Sequence, residues 1–319
     1  MARKLYIPRK VIDSISEHIS LAIDDSVDGF WSANEDEDTL TGHLGACLRT
    51  TKVTKVEIER GQQEEIFGTW RWSIDYAKFR GRGKASTESK VGADGIIELK
   101  LSFGERTDTK SLLFQSKLDW DNDPSLVPQS ILLSTWREAA LIINYTPNKF
   151  EAYSVDNIAS SQGKKSHVKS MIDLKEALNQ HFLLCKIGNI DLSYDARSRR
   201  LAWRADSGIV VATQFSIPHR IRVNIRAPKQ KNHFRFDKLI SLEEIHSHRM
   251  QVESNEILMP IFSTKKMSVK NQKQLMSMSY HPDKFFTYNS LLQEIATKRM
   301  QEINRAYNEI ITKNNNYKY

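Results

Sequence analysis

Asp94, Gln115 and Lys117 form the most compact set of groups in the chain able to act on a charged substrate. Gln115 and Lys117 stand two apart in Leu113-Phe114-Gln115-Ser116-Lys117, a segment with strand character. Side chains two apart on a strand face the same way. Asp94 lies 21 residues before Gln115, in Val91-Gly92-Ala93-Asp94-Gly95-Ile96-Ile97, on what reads as the neighbouring strand. It can therefore converge on the other two. A carboxylate, an amide carbonyl and an ammonium on one face could hold a hard divalent cation and meet a developing negative charge.

The elements that must position these groups follow from hydrophobic periodicity. Ile12, Ile15, Ile19 and Ile23 fall on one face of a helix over 9–23. The acids of 35–38 lead into Leu40, Leu44 and Leu48, a second helix with negative charge at its N-terminus. Trp70, Trp72, Ile74 and Tyr76 alternate as a half-buried strand does. Strands are expected over 96–103 and 111–117 with a turn at 104–109, a helix over 125–138 with Pro128 near its start, strands at 139–145 and 150–155, and helix near 174–182. Residues 207–236 hold no acid, and Ile217, Ile221, Val223 and Ile225 interleave with bases. They read as a sheet-edge strand with one basic face. The order predicts an α/β domain, a mixed sheet flanked by helices, over 1–227. A linker over 228–245 and a tail over 313–319 complete the division.

The Gly-x-Asp-Gly segment and the later Gln-x-Lys resemble the PD-(D/E)xK nuclease superfamily, in particular its Mrr-like restriction enzymes, over about 35–160. The resemblance implies a restriction endonuclease-like fold and metal-dependent cleavage of DNA, with Mg²⁺ or Mn²⁺ as cofactor, in a restriction or antiphage defence setting. Asp94 becomes the main metal ligand, and Lys117 orients the attacking water or neutralises the transition state. Gln115 gives an oxygen without charge, so a further carboxylate is needed. Glu37, at the head of the second helix, is the first choice, with Glu88 and Glu98 as fallbacks. The plain alternative is a glycine turn closed by Asp94 beside a solvated Lys117.

The segment Tyr280-His281-Pro282-Asp283-Lys284 resembles the loop of J-domains, the chaperone-recruiting modules of DnaJ-type proteins. A basic helix precedes it, with Lys266, Lys270 and Lys273 outward and Val269, Leu275, Met276 and Tyr280 able to face inward. Gln301-Glu302-Ile303-Asn304-Arg305-Ala306-Tyr307 follows, close to the family's third helix, with Ile295, Ile303, Tyr307 and Ile310 or Ile311 along one face. The resemblance covers about 246–312 and implies a small all-α helical hairpin, with His281, Pro282 and Asp283 engaging a DnaK-type chaperone and stimulating its ATP hydrolysis. Met259-Pro260 departs from the family's usual Gly-Val in the first helix.

Composition sets the remaining bounds. The chain has 319 residues, a net charge of +8 and a pI near 9.3. The surplus favours an anionic partner, nucleic acid first, although a solvated basic surface is the plain alternative. Arg80, Arg82 and Lys84, in a glycine-rich loop, and Arg220 and Arg222, in the acid-free segment, are the candidate nucleic-acid contacts. Trp70, Trp72 and Trp120 could stack on bases or fill a core. Two cysteines, Cys47 and Cys185, show no zinc spacing and fit a reducing compartment. With no signal peptide or membrane span in view, a cytoplasmic protein is expected. The alternative function is a non-enzymatic co-chaperone whose inactive nuclease-like domain binds nucleic acid or a client.

Overall fold

The computed structural model describes residues 7–60, 67–79, 92–121, 123–168, 170–197, 199–204, 210–212, 217–229, 268–285 and 290–316. The chain divides into two compact units.

The first unit comprises 1–120, 136–153 and 171–229. Helix α1 (Arg9–Asp28) buries Ile12, Ile15, Ile19 and Ile23, the stripe expected from their spacing. After a single turn, α2 (Phe30–Ala33), helix α3 (Glu37–Leu48) begins at Asp36, whose carboxylate accepts the Thr39 N–H at 2.6 Å. That is an N-cap, and Glu37 and Asp38 in the first turn suit the positive end of the helix dipole.

Eight strands form one mixed sheet in the order β1-β2-β11-β3-β4-β5-β6-β7. They are β1 (Thr54–Ile58), β2 (Gly68–Lys78), β3 (Gly95–Phe103), β4 (Arg106–Leu118), β5 (Ala140–Tyr145), β6 (Phe150–Ser154), β7 (Ile172–Asp173) and β11 (His219–Arg226). β5 and β6 are buried throughout, which is why they read as continuous apolar runs. The turn expected over 104–109 is only Gly104-Glu105, because Phe103 pairs with Arg106 and the ladder runs to the end of β3. A short helical turn, Leu174–Glu176, continues as a π-helix over Ala177–Phe182. A second sheet, unforeseen, holds β8 (Leu192–Asp195), β9 (Arg200–Arg204) and β10 (Val210–Ala212) in the order β10-β9-β8.

β11 is not an edge strand. It lies between β2, to which it is antiparallel, and β3, to which it is parallel. Its alternating Ile221, Val223 and Ile225 are all buried. Trp70, Trp72 and Trp120 lie in the core, each at most 3% exposed.

The second unit comprises 121–135, 154–170 and 230–319. Its described helices are α4 (Leu126–Leu133), α5 (Val155–Ser161), α6 (Val269–Tyr280) and α7 (Ser290–Asn316). A division at residue 227 does not describe this grouping. Ile131 and Leu132 of α4 and Ala159 of α5 share one core with Met276, Tyr280, Phe285, Ala296, Ile303, Ala306 and Ile310. Ile310 rather than Ile311 faces inward. Helices α6 and α7 thus bury their apolar stripes against two helices drawn from the middle of the chain.

Candidate functional site

The site in the first unit is built on the ends of β3 and β4 and the first turn of α3. Asp94 sits just before β3, where its N–H reaches the Phe114 carbonyl at 2.8 Å. The following Gly95 lets the chain lie against Phe114: a Cβ there would fall 2.1 Å from the ring. Asp94 Oδ2 accepts from Gln115 Nε2 at 2.7 Å, from the Ser116 N–H at 2.7 Å and from Ser116 Oγ at 2.5 Å. Gln115 is buried, and among the described residues its Oε1 has no hydrogen-bond donor. Lys117 is buried too, 4% exposed, rather than solvated. Its ammonium lies 3.9 Å from Glu37 Oε1, which is also 3.4 Å from the Leu118 N–H. The four residues thus form two contacts, Asp94 with Gln115 and Lys117 with Glu37, both at the β4 strand end, and Tyr145 feels the charge of Asp94 and of Glu37.

The oxygen set suits a hard cation that keeps several waters: carboxylates from Asp94 and Glu37, and the unsatisfied amide oxygen of Gln115. Among the described residues no group of three or more His, Cys, Asp or Glu side chains makes a cage of its own. Any metal here would depend on Gln115 and water to complete its shell.

Sequence reasoning missed the groups beside this cluster. Asp38, next to Glu37, turns the other way and meets His219 Nε2 at 2.7 Å and Lys78 Nζ at 2.5 Å. His219 Nδ1 meets Tyr76 Oη at 2.9 Å, and the two rings stack. The His219 N–H bonds the Asp94 carbonyl at 3.1 Å, so this chain of bonds adjoins the Asp94 strand end. Burial holds the His219 imidazole below its ordinary range, despite the opposing pull of Asp38. Burial also pushes Asp38 up, but hydrogen bonds from Lys78 and His219 outweigh it and the carboxyl is net lowered. The Tyr76 phenol is pushed up to about 12, by burial first and Asp38 second. A neutral His219 then donates Nε2–H to Asp38 and accepts the Tyr76 hydroxyl proton at Nδ1. Gly45 makes room for this tyrosine, since a Cβ there would lie 2.3 Å from its ring. Tyr145, whose hydroxyl meets Thr41 Oγ1 at 3.0 Å, is raised by burial and further by the nearby Asp94, Tyr76 and Glu37. His219 belongs to no marked motif: its place beside Gly95 comes from a crossover pairing that local spacing does not encode.

Glu98, expected as a fallback metal ligand, and Arg220 and Arg222, expected at phosphates, bond one another in the sheet. Glu98 is fully buried and its Oε2 accepts from Arg220 Nε at 2.6 Å and Arg222 Nε at 3.0 Å. Glu98 Oε1 accepts the Tyr194 N–H at 3.0 Å, and the Arg220 guanidinium lies 5.0 Å from the Tyr194 ring. The cause is register: Arg222 pairs directly with Glu98 across the parallel β11–β3 ladder. Arg80, Arg82, Lys84, Glu88 and Lys266 lie outside the described residues, as do residues 230–245 of the linker and the expected first helix of the C-terminal segment.

In the second unit, α6 starts at Ser268, whose hydroxyl accepts the Asn271 N–H at 3.2 Å, and ends at His281. Pro282 opens a 3₁₀ turn over Pro282–Phe285, and the Lys284 N–H bonds the His281 carbonyl at 3.0 Å. His281 and Asp283 are exposed, with Nδ1 and Oδ2 3.5 Å apart. Lys270 is exposed, and Lys273 lies over the Tyr307 ring at 4.4 Å. Behind this loop Tyr280 is fully buried and donates its hydroxyl proton to Asp156 Oδ1. Arg299, 4% exposed, lies 3.6 Å from Asp156 Oδ2 and 2.7 Å from Glu302 Oε2.

Comparison with family models, curated proteins and solved structures gave no match. Among the described residues no helix is long and apolar enough to cross a membrane.

Proposed function

We propose that the first unit is a metal-dependent phosphodiesterase acting on DNA, and that the His281-Pro282-Asp283 loop of the second recruits a DnaK-type chaperone in the manner of a J-domain. The observation that supports the nuclease reading is a buried Asp94 carboxylate beside a Gln115 amide oxygen without a donor among the described residues, with a buried Lys117 ammonium near the Glu37 carboxylate on the same strand end. Asp94, Gln115 and Glu37 would hold Mg²⁺ or Mn²⁺. Such an ion supplies charge stabilisation and a more acidic bound water. Ser116 fixes the Asp94 carboxylate through two hydrogen bonds. Lys117, held in place by burial, sets positive charge where a phosphoryl oxygen would gain negative charge. Tyr76, His219 and Asp38 offer a proton acceptor chain at the same strand ends.

The chaperone reading rests on the exposed His281 and Asp283, set by Pro282 at the end of a capped helix that also exposes Lys270. Exposed basic groups would steer the loop to an acidic partner surface.

One observation favours a second reading, a non-enzymatic co-chaperone. Asp94 Oδ2 already accepts three hydrogen bonds, and Gln115 adds no charge, so the cluster is self-satisfied on that oxygen. Plasmid cleavage by the purified chain in Mg²⁺ or Mn²⁺, with and without a DnaK-type chaperone, separates the two. Cleavage lost in Asp94→Ala and Lys117→Met supports the nuclease; no cleavage under any condition selects the co-chaperone. Chaperone ATPase stimulation lost in His281→Gln supports the loop assignment, and unchanged stimulation sinks it.

A further inference from the structure

Lys110, on β4, is a buried cation that the proposed chemistry does not use. It is 6% exposed, and among the described residues no carboxylate pairs with it. Its ammonium instead reaches the Phe182 carbonyl and lies 3.1 Å from Cys185 Sγ, with the Phe182 ring 4.4 Å away. A buried charge is ordinarily paired with an opposite one. Here the neighbours are a carbonyl oxygen, a sulfur and an aromatic ring.

The contact is held from both sides. Segment 182–189 is fastened to β4 by a reciprocal backbone pair, Ser111 N–H to Asn189 O and Asn189 N–H to Ser111 O, each 2.8 Å. Gly188 leaves space for the lysine stem, since a Cβ there would lie 3.2 Å from Lys110 Cδ. Cys185 itself takes a left-handed backbone, φ 58°, and is only half-buried, unlike Lys110. Burial holds the Lys110 amine below its ordinary range, with Cys185 pulling it back up, which favours the neutral nucleophilic form.

We propose that Lys110 and Cys185 are a covalent modification site: a peroxide converts the pair into a sulfenamide cross-link. The Cys185 thiolate attacks one oxygen of hydrogen peroxide. The S–O bond forms, the O–O bond breaks, and the departing hydroxide takes up a proton as water. Sulfur is oxidised by two electrons to the sulfenic acid, and the peroxide is reduced. The neutral Lys110 amine then attacks that sulfur. The N–S bond forms, the S–O bond breaks, and the hydroxyl leaves with an amine proton as a second water. One thiol, one amine and one peroxide thus give one sulfenamide and two waters. The link ties segment 182–189 to the strand that carries Gln115 and Lys117, and it stands independently of the nuclease reading.

The test is peptide mapping of the full-length chain after brief treatment with a small excess of hydrogen peroxide. The expected product joins the peptides bearing Lys110 and Cys185, about 2 Da lighter than their sum, resists trypsin after Lys110, and reverts with dithiothreitol. Lys110→Met is expected to lack the link and to yield a dimedone-trapped sulfenic acid at Cys185. Wild type that gives the same dimedone adduct or sulfinic acid as Lys110→Met, with trypsin still cutting after Lys110, overturns the proposal. So does a Cys185 that stays reduced while a free cysteine peptide in the same tube is oxidised.

Discussion

Gln115→Glu sets a second carboxylate where an amide now donates to Asp94 at 2.7 Å. Two terms compete in the metal-free protein. Leaving both carboxylates charged at that separation costs about 6 kcal/mol at an effective dielectric near 20. Protonating one of them at pH 7, from an ordinary pKa of about 4.3, costs about 3.7 kcal/mol. Protonation wins, and the shared proton restores part of the lost hydrogen bond, so a net loss of about 2–3 kcal/mol is expected. The pH dependence has a definite sign. A carboxyl whose folded pKa is raised binds more protons folded than unfolded, so the penalty is absent below about pH 4.3 and grows as pH rises. A divalent cation held by this site would reverse the balance by displacing the proton and meeting three carboxylates instead of the two of Asp94 and Glu37. Urea unfolding at pH 7 in EDTA should place the variant below wild type, and Mg²⁺ should stabilise the variant more than wild type. Equal stability in EDTA to within about 0.5 kcal/mol, a spread ordinary for surface changes, would refute the stated contact at Asp94. Equal Mg²⁺ stabilisation of both proteins would refute the metal site.

Three other perturbations test the structure around both candidate sites. Asp156→Asn leaves Arg299 buried with, among the described residues, the half-exposed Glu302 as its remaining counter-ion and weakens the Tyr280 contact, so a loss of about 3 kcal/mol in urea unfolding is expected; adding Arg299→Met should recover part of it, and additive losses would contradict the coupling. Because burial lowers His219, the unfolded chain takes up its proton first as pH falls below about 6.5, so stability drops there. His219→Gln should flatten that part of the pH–stability curve, which circular dichroism melts can follow; an unchanged slope would show that other groups set it. Gly45→Ala should destabilise by about 1–2 kcal/mol, the overpacking against Tyr76 exceeding the roughly 1 kcal/mol gain in helix propensity. In a Tyr76→Ala background the same change should raise Tm, and a fall in both backgrounds would mean that the tyrosine ring is not what the Cβ meets.

Local patterns were enough for most elements that carry the sites. The 3.6-residue spacing of Ile12, Ile15, Ile19 and Ile23 and the four-residue spacing of Leu40, Leu44 and Leu48 fix which helix faces are buried. The period-two run from Trp70 to Tyr76 and the pair Gln115 and Lys117 fix faces of strands. These periods are properties of neighbouring residues, so a sequence holds them in full. The approach of Asp94 to Gln115 was legible because a short antiparallel connection joins β3 to β4. It leaves little freedom in their register.

Tertiary structure alone decided where distant segments insert. β11 arrives from beyond residue 217 to lie between β2 and β3, and that crossover turns an apparently basic edge into a central strand. Its register sets Arg222 opposite Glu98 and His219 opposite Gly95. Two bases expected to meet phosphates thereby share the single carboxylate of Glu98, and an unnoticed histidine comes to lie between Asp38 and Tyr76. In the same way Tyr280, beside the His-Pro-Asp loop, finds its partner in Asp156, 124 residues earlier. The sequence determines which residues are apolar, charged or able to turn the chain. Which buried charge meets which counter-charge depends on pairing across long loops, whose closure entropy changes only slowly with length and so leaves no local mark.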